Sequence, residues 1–138
     1  MPSGSGARPR RSRYAATTSD SVTRGPAQPS GFCKIIAGQI PAKKAYEDDE
    51  LLVFHDIHPW APVHVLVIPK QHIASHADVG PEQAPMLGRM LALAPRLMRD
   101  LGVTNGFRTV INTGRDGGQE VHHLHMHVMG GPRPWAKG

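Results

Sequence analysis

The segment of residues 121–129 alternates between two kinds of side chain, and this alternation limits the structures that the chain can adopt. Successive side chains of a β-strand point to opposite faces, so the segment predicts a strand with one apolar face and one imidazole face. The apolar side chains, which we expect to pack on the core, are Leu124, Met126 and Val128. The imidazoles, which are costly to bury without polar partners, are His123, His125 and His127.

The three imidazoles have three possible explanations. They can form an exposed polar face, a metal site, since His-x-His on a strand suits zinc or iron, or a site that binds and attacks phosphate. The segment just before the histidines, residues 112–120, is a glycine-rich loop. Backbone N–H groups of such loops bind anions, so the combination favours the phosphate site.

The remaining sequence predicts two helices and four further strands. Phe32, Ile35 and Ile36 have the spacing of a short helix, and a longer apolar stripe predicts a helix from Pro81 to Gly102. Strands are expected at residues 45–47, 51–55, 63–68 and 107–112. This order predicts an α+β fold with an antiparallel sheet, in which the second and third strands form a hairpin.

Charge and composition divide the chain into two parts. Residues 1–30 are rich in Arg, Ser, Gly and Pro and predict a disordered basic extension, whereas residues 31–138 predict one folded domain. The net charge of +5 comes mostly from the extension, so neither a nucleic-acid partner nor a membrane span is expected. The single cysteine, Cys33, suits a reducing compartment, and we expect a cytoplasmic protein.

Several separated motifs occur together in one order. They are Phe54-His55-Asp56-Ile57, Ala61-Pro62-Val63-His64, Ile68-Pro69-Lys70-Gln71-His72-Ile73, the glycine-rich loop and the histidine run. In this combination the chain resembles the histidine triad (HIT) family, and within it the Hint branch of nucleotide-binding hydrolases. The resemblance extends from Phe32 to Gly131.

The resemblance implies a fold and an assembly. The fold is an α+β, HIT-like five-stranded antiparallel sheet with one long and one short helix. Two copies are expected to form a homodimer with a continuous ten-stranded sheet. The segment that follows the last strand lies near the partner's site in the family, so Trp135 is expected either to contact substrate or to pack at the interface.

The resemblance also implies roles for four histidines. His125 matches the nucleophile that attacks the α-phosphorus and forms a nucleotidyl-histidine intermediate, which water then hydrolyses. His127 matches the residue that contacts the α-phosphate and assists the leaving group. His123 and His64 match supporting histidines that fix the orientation and tautomer of the nucleophile.

The implied substrate pocket has three parts. Asp56 matches the carboxylate that binds the ribose hydroxyls. The nucleobase pocket is matched by Phe32, Ile35, Phe54 and Ile57, with His55 as a lining residue. The phosphate-side loop is matched by Asn112, Gly118, Gln119 and Glu120. Some members have serine at position 120, where a carboxylate repels phosphate unless it turns aside.

The implied activity is that of a metal-independent hydrolase without a cofactor. It would cleave the P–N bond of purine nucleoside 5'-phosphoramidates, and aminoacyl adenylates, with an AMP-type or GMP-type ligand. The alternatives are a dinucleoside polyphosphate hydrolase and a nucleotide-binding adaptor with little turnover. Some members bind zinc through Cys-x-x-Cys, but Ser30 stands three positions before Cys33, so we predict no zinc here.

Overall fold

The computed structural model describes residues 31–137, which form one antiparallel sheet and two helices. The helices are α1 (Gly31–Ile36) and α2 (Ala84–Asp100), and two short 3-10 turns, His76–Asp78 and Pro81–Gln83, precede α2. The strands are β1 (Lys44–Glu47), β2 (Leu51–His55), β3 (Val63–Pro69), β4 (Phe107–Val110) and β5 (Met126–Gly130). The α+β class and the strand count match the sequence prediction.

The sheet has the order β1-β2-β3-β5-β4. The predicted hairpin of β2 and β3 is confirmed, and β5 inserts between β3 and β4. Phe54 is paired with Leu66, and Leu66 is paired with His127. Directly paired residues point to the same face of a sheet, so His127 shares a face with Phe54 and Leu66.

The two faces of the sheet have different neighbours. On one face, α2 packs over a large apolar core whose members include Val53, Val65, Met90, Met126 and Val128. On the other face, α1 packs over a smaller apolar cluster built from Leu52, Phe54, Leu66 and Ile68. The apolar half of the predicted alternation therefore does pack on the core, and Leu124 joins it.

The last strand is shorter than the sequence predicts. It begins at Met126 instead of residue 121, so only His127 of the three histidines lies within it. Before β5, the His125 side chain bonds to the backbone carbonyl of His123, and the Leu124 N–H donates to the Ile73 carbonyl. These bonds use backbone groups that a neighbouring strand would otherwise pair with, so a regular strand cannot begin earlier.

β4 forms one edge of the sheet and has a largely exposed surface, including Phe107. An exposed edge strand is a surface that a second chain can extend. The ten-stranded homodimer stays a prediction, and the basic extension of residues 1–30 lies outside the described residues. Within residues 31–137, no helix is both long enough and apolar enough to span a bilayer.

Candidate active site

His127 and His64 form a buried pair on the face of the sheet that α1 covers. His64 lies on β3 and His127 on β5, and His64 Nε2 is 2.9 Å from His127 Nδ1. The backbone N–H of Trp60 donates to His64 Nδ1 at 3.0 Å. His64 Nδ1 therefore accepts, so the neutral ring carries its hydrogen on Nε2 and donates it to His127 Nδ1. His127 in turn carries its hydrogen on Nε2.

His125 has the opposite arrangement of hydrogen and lone pair. Its Nδ1 lies 2.7 Å from the backbone carbonyl oxygen of His123. A carbonyl only accepts, so Nδ1 carries the hydrogen and Nε2 keeps its lone pair. The rings of His125 and His127 are 5.1 Å apart between centroids. The site thus places a ring with a free nitrogen lone pair beside a ring whose nitrogen bears a hydrogen.

The supporting roles implied for His123 and His64 stay a prediction, and the structure shows which groups these two histidines contact. The part of His123 that orients His125 is its backbone carbonyl, whereas its ring Nε2 donates to the Pro69 carbonyl at 2.8 Å. His64 contacts His127 and not the expected nucleophile. Sequence position alone cannot distinguish these arrangements, because they depend on where each ring turns.

The histidine cluster is uncharged at neutral pH. Burial, together with the neighbouring imidazoles of His125 and His64, lowers the pKa of His127 to about 4. Burial also lowers the pKa values of His64, His123 and His125, although the Asp56 carboxylate raises those of His64 and His125. Because neutral imidazole is the nucleophilic form, the lowered pKa keeps His125 in the form that a histidine nucleophile requires.

The predicted nucleobase pocket is only partly assembled in the structure. Phe32 and Ile35 of α1 pack against Phe54, and the Phe32 ring also meets His125 edge-on at 5.1 Å. Ile57 is 85% exposed and lies outside this cluster. His55 is half-buried at the end of β2, where burial and Lys43 lower its pKa. An aromatic and aliphatic surface therefore adjoins the lone pair of His125.

Asp56 lies between the pocket and the histidine pair. Its Oδ1 accepts the backbone N–H of His58, and its Oδ2 is 3.5 Å from His64 Nε2. The carboxylate is thus fixed near the histidines at the end of β2, as expected for a residue that lines the substrate site.

In the predicted phosphate-side loop, Gln119 and Gly118 have structural roles. The side chain of Gln119 is buried and braces the loop: Nε2 donates to the carbonyls of Ala74 and Val121, and Oε1 accepts from the Gly114 N–H. Its hydrogen-bonding groups are therefore already used within the protein. Gly118 has a φ of 82°, which favours glycine. Asn112 is half-buried at the start of the loop, and Glu120 is exposed.

One residue of the site, Trp60, was not predicted from the sequence. Its indole stacks on the His127 ring, with 5.4 Å between centroids and 15° between planes, and its backbone N–H sets the His64 tautomer. Trp60 is 67 positions before His127, so no local pattern links them. Only its place four residues before His64, in the loop that carries that histidine, marks it as a neighbour of the site.

With this geometry established, comparison with known proteins identifies the family. The family model described as HIT domain matches residues 37–133, well over half of the chain. The chain belongs to the HIT family. The match includes β1 to β5, α2 and all four histidines of the site, so the resemblance inferred from the motifs is confirmed.

Relatives of this HIT protein are similar over most of their own length. Protein HitA of Neisseria gonorrhoeae is 54% identical over 101 residues, which cover 73% of this chain and 94% of HitA. The purine nucleoside phosphoramidase of Escherichia coli is 45% identical over 101 residues, which cover 72% and 85%. A HIT family hydrolase from Legionella pneumophila superposes with a TM-score of 0.73 at 43% identity, covering 76% and 95%. These likenesses place the chain among the hydrolases of the family.

A second cluster of this HIT protein, formed by Cys33, His72 and His123, fits a zinc ion. Cys33 Sγ is 3.4 Å from His72 Nδ1 and 3.6 Å from His123 Nδ1, and the two nitrogens are 3.2 Å apart. In a tetrahedral zinc site, sulfur and nitrogen ligands are about 3.6 Å apart and two nitrogens about 3.3 Å apart. Since His123 Nε2 bears the hydrogen, its Nδ1 has a lone pair directed at the cluster.

These donors modify the sequence prediction of no zinc. Replacement of the first cysteine by Ser30 leaves three donors that still converge, and no fourth His, Cys, Asp or Glu of residues 31–137 joins them. Ser30 itself lies outside the described residues. Bound zinc would link α1 to the segments that carry His72 and His123, which is structural chemistry and takes no part in the reaction.

Zinc is expected to stabilise the protein through these three residues. At a zinc concentration of about 100 times Kd, the free energy of unfolding should rise by about 2.7 kcal/mol, which thermal unfolding detects as a higher Tm. The His72→Ala variant should lose most of this rise, whereas the control His76→Ala, at an exposed position outside the cluster, should keep it. An equal rise in wild type and His72→Ala would place the zinc elsewhere.

Proposed function

We propose that this HIT protein hydrolyses purine nucleoside 5'-phosphoramidates, and aminoacyl adenylates, through a nucleotidyl intermediate on His125. The observation that carries the proposal is that the His125 ring, with a lone pair on Nε2, lies 5.1 Å between centroids from the His127 ring, which bears a hydrogen on Nε2. A nucleophile beside a proton donor is what cleavage of a P–N bond requires, because an amine leaves well only when it is protonated.

The first step forms a bond from His125 Nε2 to the α-phosphorus and breaks the P–N bond, whose electron pair goes to the departing nitrogen. His127 gives that nitrogen a proton. The low pKa of His127 in the free protein means that the proton enters with the substrate, because a bound phosphate anion favours the imidazolium form. Binding of the anionic substrate thus favours protonation of His127, which then protonates the leaving group.

The second step hydrolyses the intermediate and regenerates free His125. Water attacks the phosphorus of the nucleotidyl-histidine, the bond from phosphorus to Nε2 breaks, and the nucleoside monophosphate leaves. The hydrogen-bonded pair of His127 and His64 takes up the proton that the water releases. The apolar surface of Phe54, which is buried, and of Phe32 and Ile35, which are partly buried, supports a purine next to this phosphate position, and Asp56 supports the ribose.

Similarity to the purine nucleoside phosphoramidase of Escherichia coli supports this choice of substrate over a dinucleoside polyphosphate. The homodimer, the AMP-type or GMP-type ligand and the cytoplasmic location are part of the same proposal. Metal independence is also part of it, since the residues named here supply both the nucleophile and the proton donor.

The test compares two substrates with the purified full chain. We expect kcat/KM for adenosine 5'-phosphoramidate to exceed that for diadenosine tetraphosphate by at least about 100-fold, and to be unchanged by a chelator. Chromatography of released AMP measures both reactions. A higher rate with diadenosine tetraphosphate would instead assign the dinucleoside polyphosphate activity. AMP binding without turnover of either substrate would indicate an adaptor.

A further inference from the structure

The spacing of the Cys33, His72 and His123 donors indicates how many ligands a zinc ion would have among them. The nitrogens are 3.2 Å apart, and the sulfur is 3.4 Å and 3.6 Å from them. If zinc lay in one plane with three ligands, the nitrogens would be about 3.5 Å apart and the sulfur about 3.8 Å from each nitrogen. The observed separations are shorter and agree better with the values of about 3.3 Å and about 3.6 Å in a tetrahedral site. The donors therefore occupy three corners of a tetrahedron, and a fourth corner is left.

The chain offers no preferred zinc ligand close to this fourth corner. Within residues 31–137, no further His, Cys, Asp or Glu lies with the three donors. Residues 1–30 contain no histidine and no cysteine, and Asp20 is their only acidic residue. Ser30 stands three positions before Cys33, but the usual ligands of zinc are thiolate, imidazole and carboxylate groups. The fourth ligand is therefore expected to come from outside the chain.

The cluster combines a fixed donor with donors near the surface. His123 is fully buried, and its Nε2 donates to the Pro69 carbonyl at 2.8 Å, which fixes the ring and leaves the Nδ1 lone pair for a metal. The His72 ring lies edge-on to the His123 ring, with 5.0 Å between centroids. His72 is exposed and Cys33 is half-buried, so the cluster borders the surface of residues 31–137. Small solutes can therefore reach a metal at this position.

We propose that zinc at this cluster has an open fourth position, which takes an external thiolate from a low-molecular-weight thiol. Thiolate sulfur is a preferred ligand of zinc and would complete a set of two sulfurs and two nitrogens. On binding, the thiol loses its proton to solvent, a zinc–oxygen bond to water breaks and a zinc–sulfur bond forms. The zinc would still link α1 to the sheet, but its fourth ligand is exchangeable, unlike that of a closed site with four protein ligands.

The test uses cobalt(II), which accepts tetrahedral nitrogen and sulfur sites like those of zinc and, unlike zinc, absorbs visible light. The intensity of its sulfur-to-cobalt charge-transfer band increases with the number of thiolate ligands. With the purified full chain and equimolar cobalt, we expect the spectrum of a single thiolate. Addition of 2-mercaptoethanol should then raise the charge-transfer intensity about twofold. A sample without protein corrects for complexes between cobalt and the thiol.

Ser30→Cys is the matched variant, because it supplies a second thiolate three positions before Cys33. Its cobalt spectrum should show two thiolates before any thiol is added and should not respond to the thiol. Its Kd for zinc, measured by competition with a chromophoric chelator, should be about 100-fold lower than that of wild type, because a fourth protein ligand adds about a quarter of the binding free energy. Cys33→Ser should abolish the charge-transfer band, and thermal unfolding without metal checks the fold of both variants.

Several results would contradict the open position. A wild-type spectrum that the thiol leaves unchanged would mean that the fourth corner is already filled. Asp20→Asn is expected to match wild type, and an altered cobalt spectrum in this variant would identify Asp20 as the fourth ligand. A wild type without a charge-transfer band would mean that Cys33 does not bind the metal. These measurements do not use turnover of a nucleotide, so they are independent of the function proposed above.

Discussion

The His125→Asn variant should lose about 10⁴-fold to 10⁶-fold in kcat/KM with adenosine 5'-phosphoramidate, because the substitution removes the nucleophile of the proposed reaction. Asparagine still has an amide N–H that can donate to the His123 carbonyl, as His125 Nδ1 does now. The variant should therefore fold like the wild type while lacking the lone pair of Nε2. Initial rates of AMP release measure the loss, and thermal unfolding checks the fold.

Detection of the nucleotidyl-histidine intermediate provides a second test of the role proposed for His125. Mass spectrometry of wild type quenched at alkaline pH, where a phosphorus–imidazole bond survives, should detect a nucleotidyl group on the peptide that contains His125, and none on the variant. His122→Asn is a matched control, since this exposed histidine is three positions away and should keep the wild-type rate. Near-normal turnover by His125→Asn, or an adduct on another residue, would contradict the assignment.

Acidification should destabilise the folded protein in the range between pH 6.5 and pH 4. The pKa of His127 is about 4 in the folded protein and about 6.5 in an unfolded chain, so within this range the unfolded chain binds a proton that the folded protein does not. The free energy of unfolding is therefore highest above pH 6.5 and falls as the pH decreases. For His127 alone the fall amounts to about 3 kcal/mol.

Urea unfolding at several pH values between 7.5 and 4.5 measures this effect. The His127→Asn variant should have a shallower dependence on pH, because asparagine can accept the hydrogen bond from His64 without titrating. His64, His123 and His125, whose pKa values are also lowered by burial, should keep part of the slope. The exposed control His76→Asn should keep all of it. Identical slopes for wild type and His127→Asn would contradict the assigned pKa.

The apolar pattern of the sequence was sufficient to predict most of the fold. β2 and β3 occur where branched apolar residues predict them, and α2 occupies most of the predicted long helix, because burial of apolar side chains determines both. The predicted start of β5 was wrong, because the hydrogen bond from the His125 side chain to the His123 carbonyl is a local preference of one side chain. Hydrophobic periodicity contains no information about such bonds.

The site was predictable where motifs specify residues and not where distant segments meet. His64, His125 and His127 were identified from the motifs, but their hydrogen-bond partners were not, since the partners depend on ring orientation. Trp60 and Lys137 come together only because the chain returns to the loop after β5. The side chains of Cys33, His72 and His123 likewise converge only in three dimensions, so the incomplete Cys-x-x-Cys pattern did not reveal that they form a possible metal site.

The use of a main-chain oxygen to orient His125 has a consequence for how this protein can vary. Every amino acid at position 123 supplies the same carbonyl, so substitutions there can alter or abolish the metal-binding cluster without removing the acceptor that fixes the attacking ring. The metal-binding cluster and the orientation of His125 can thus change independently of each other. A substitution at position 123 can therefore remove the cluster of Cys33, His72 and His123 while His125 stays oriented, provided that the backbone conformation at this position is retained.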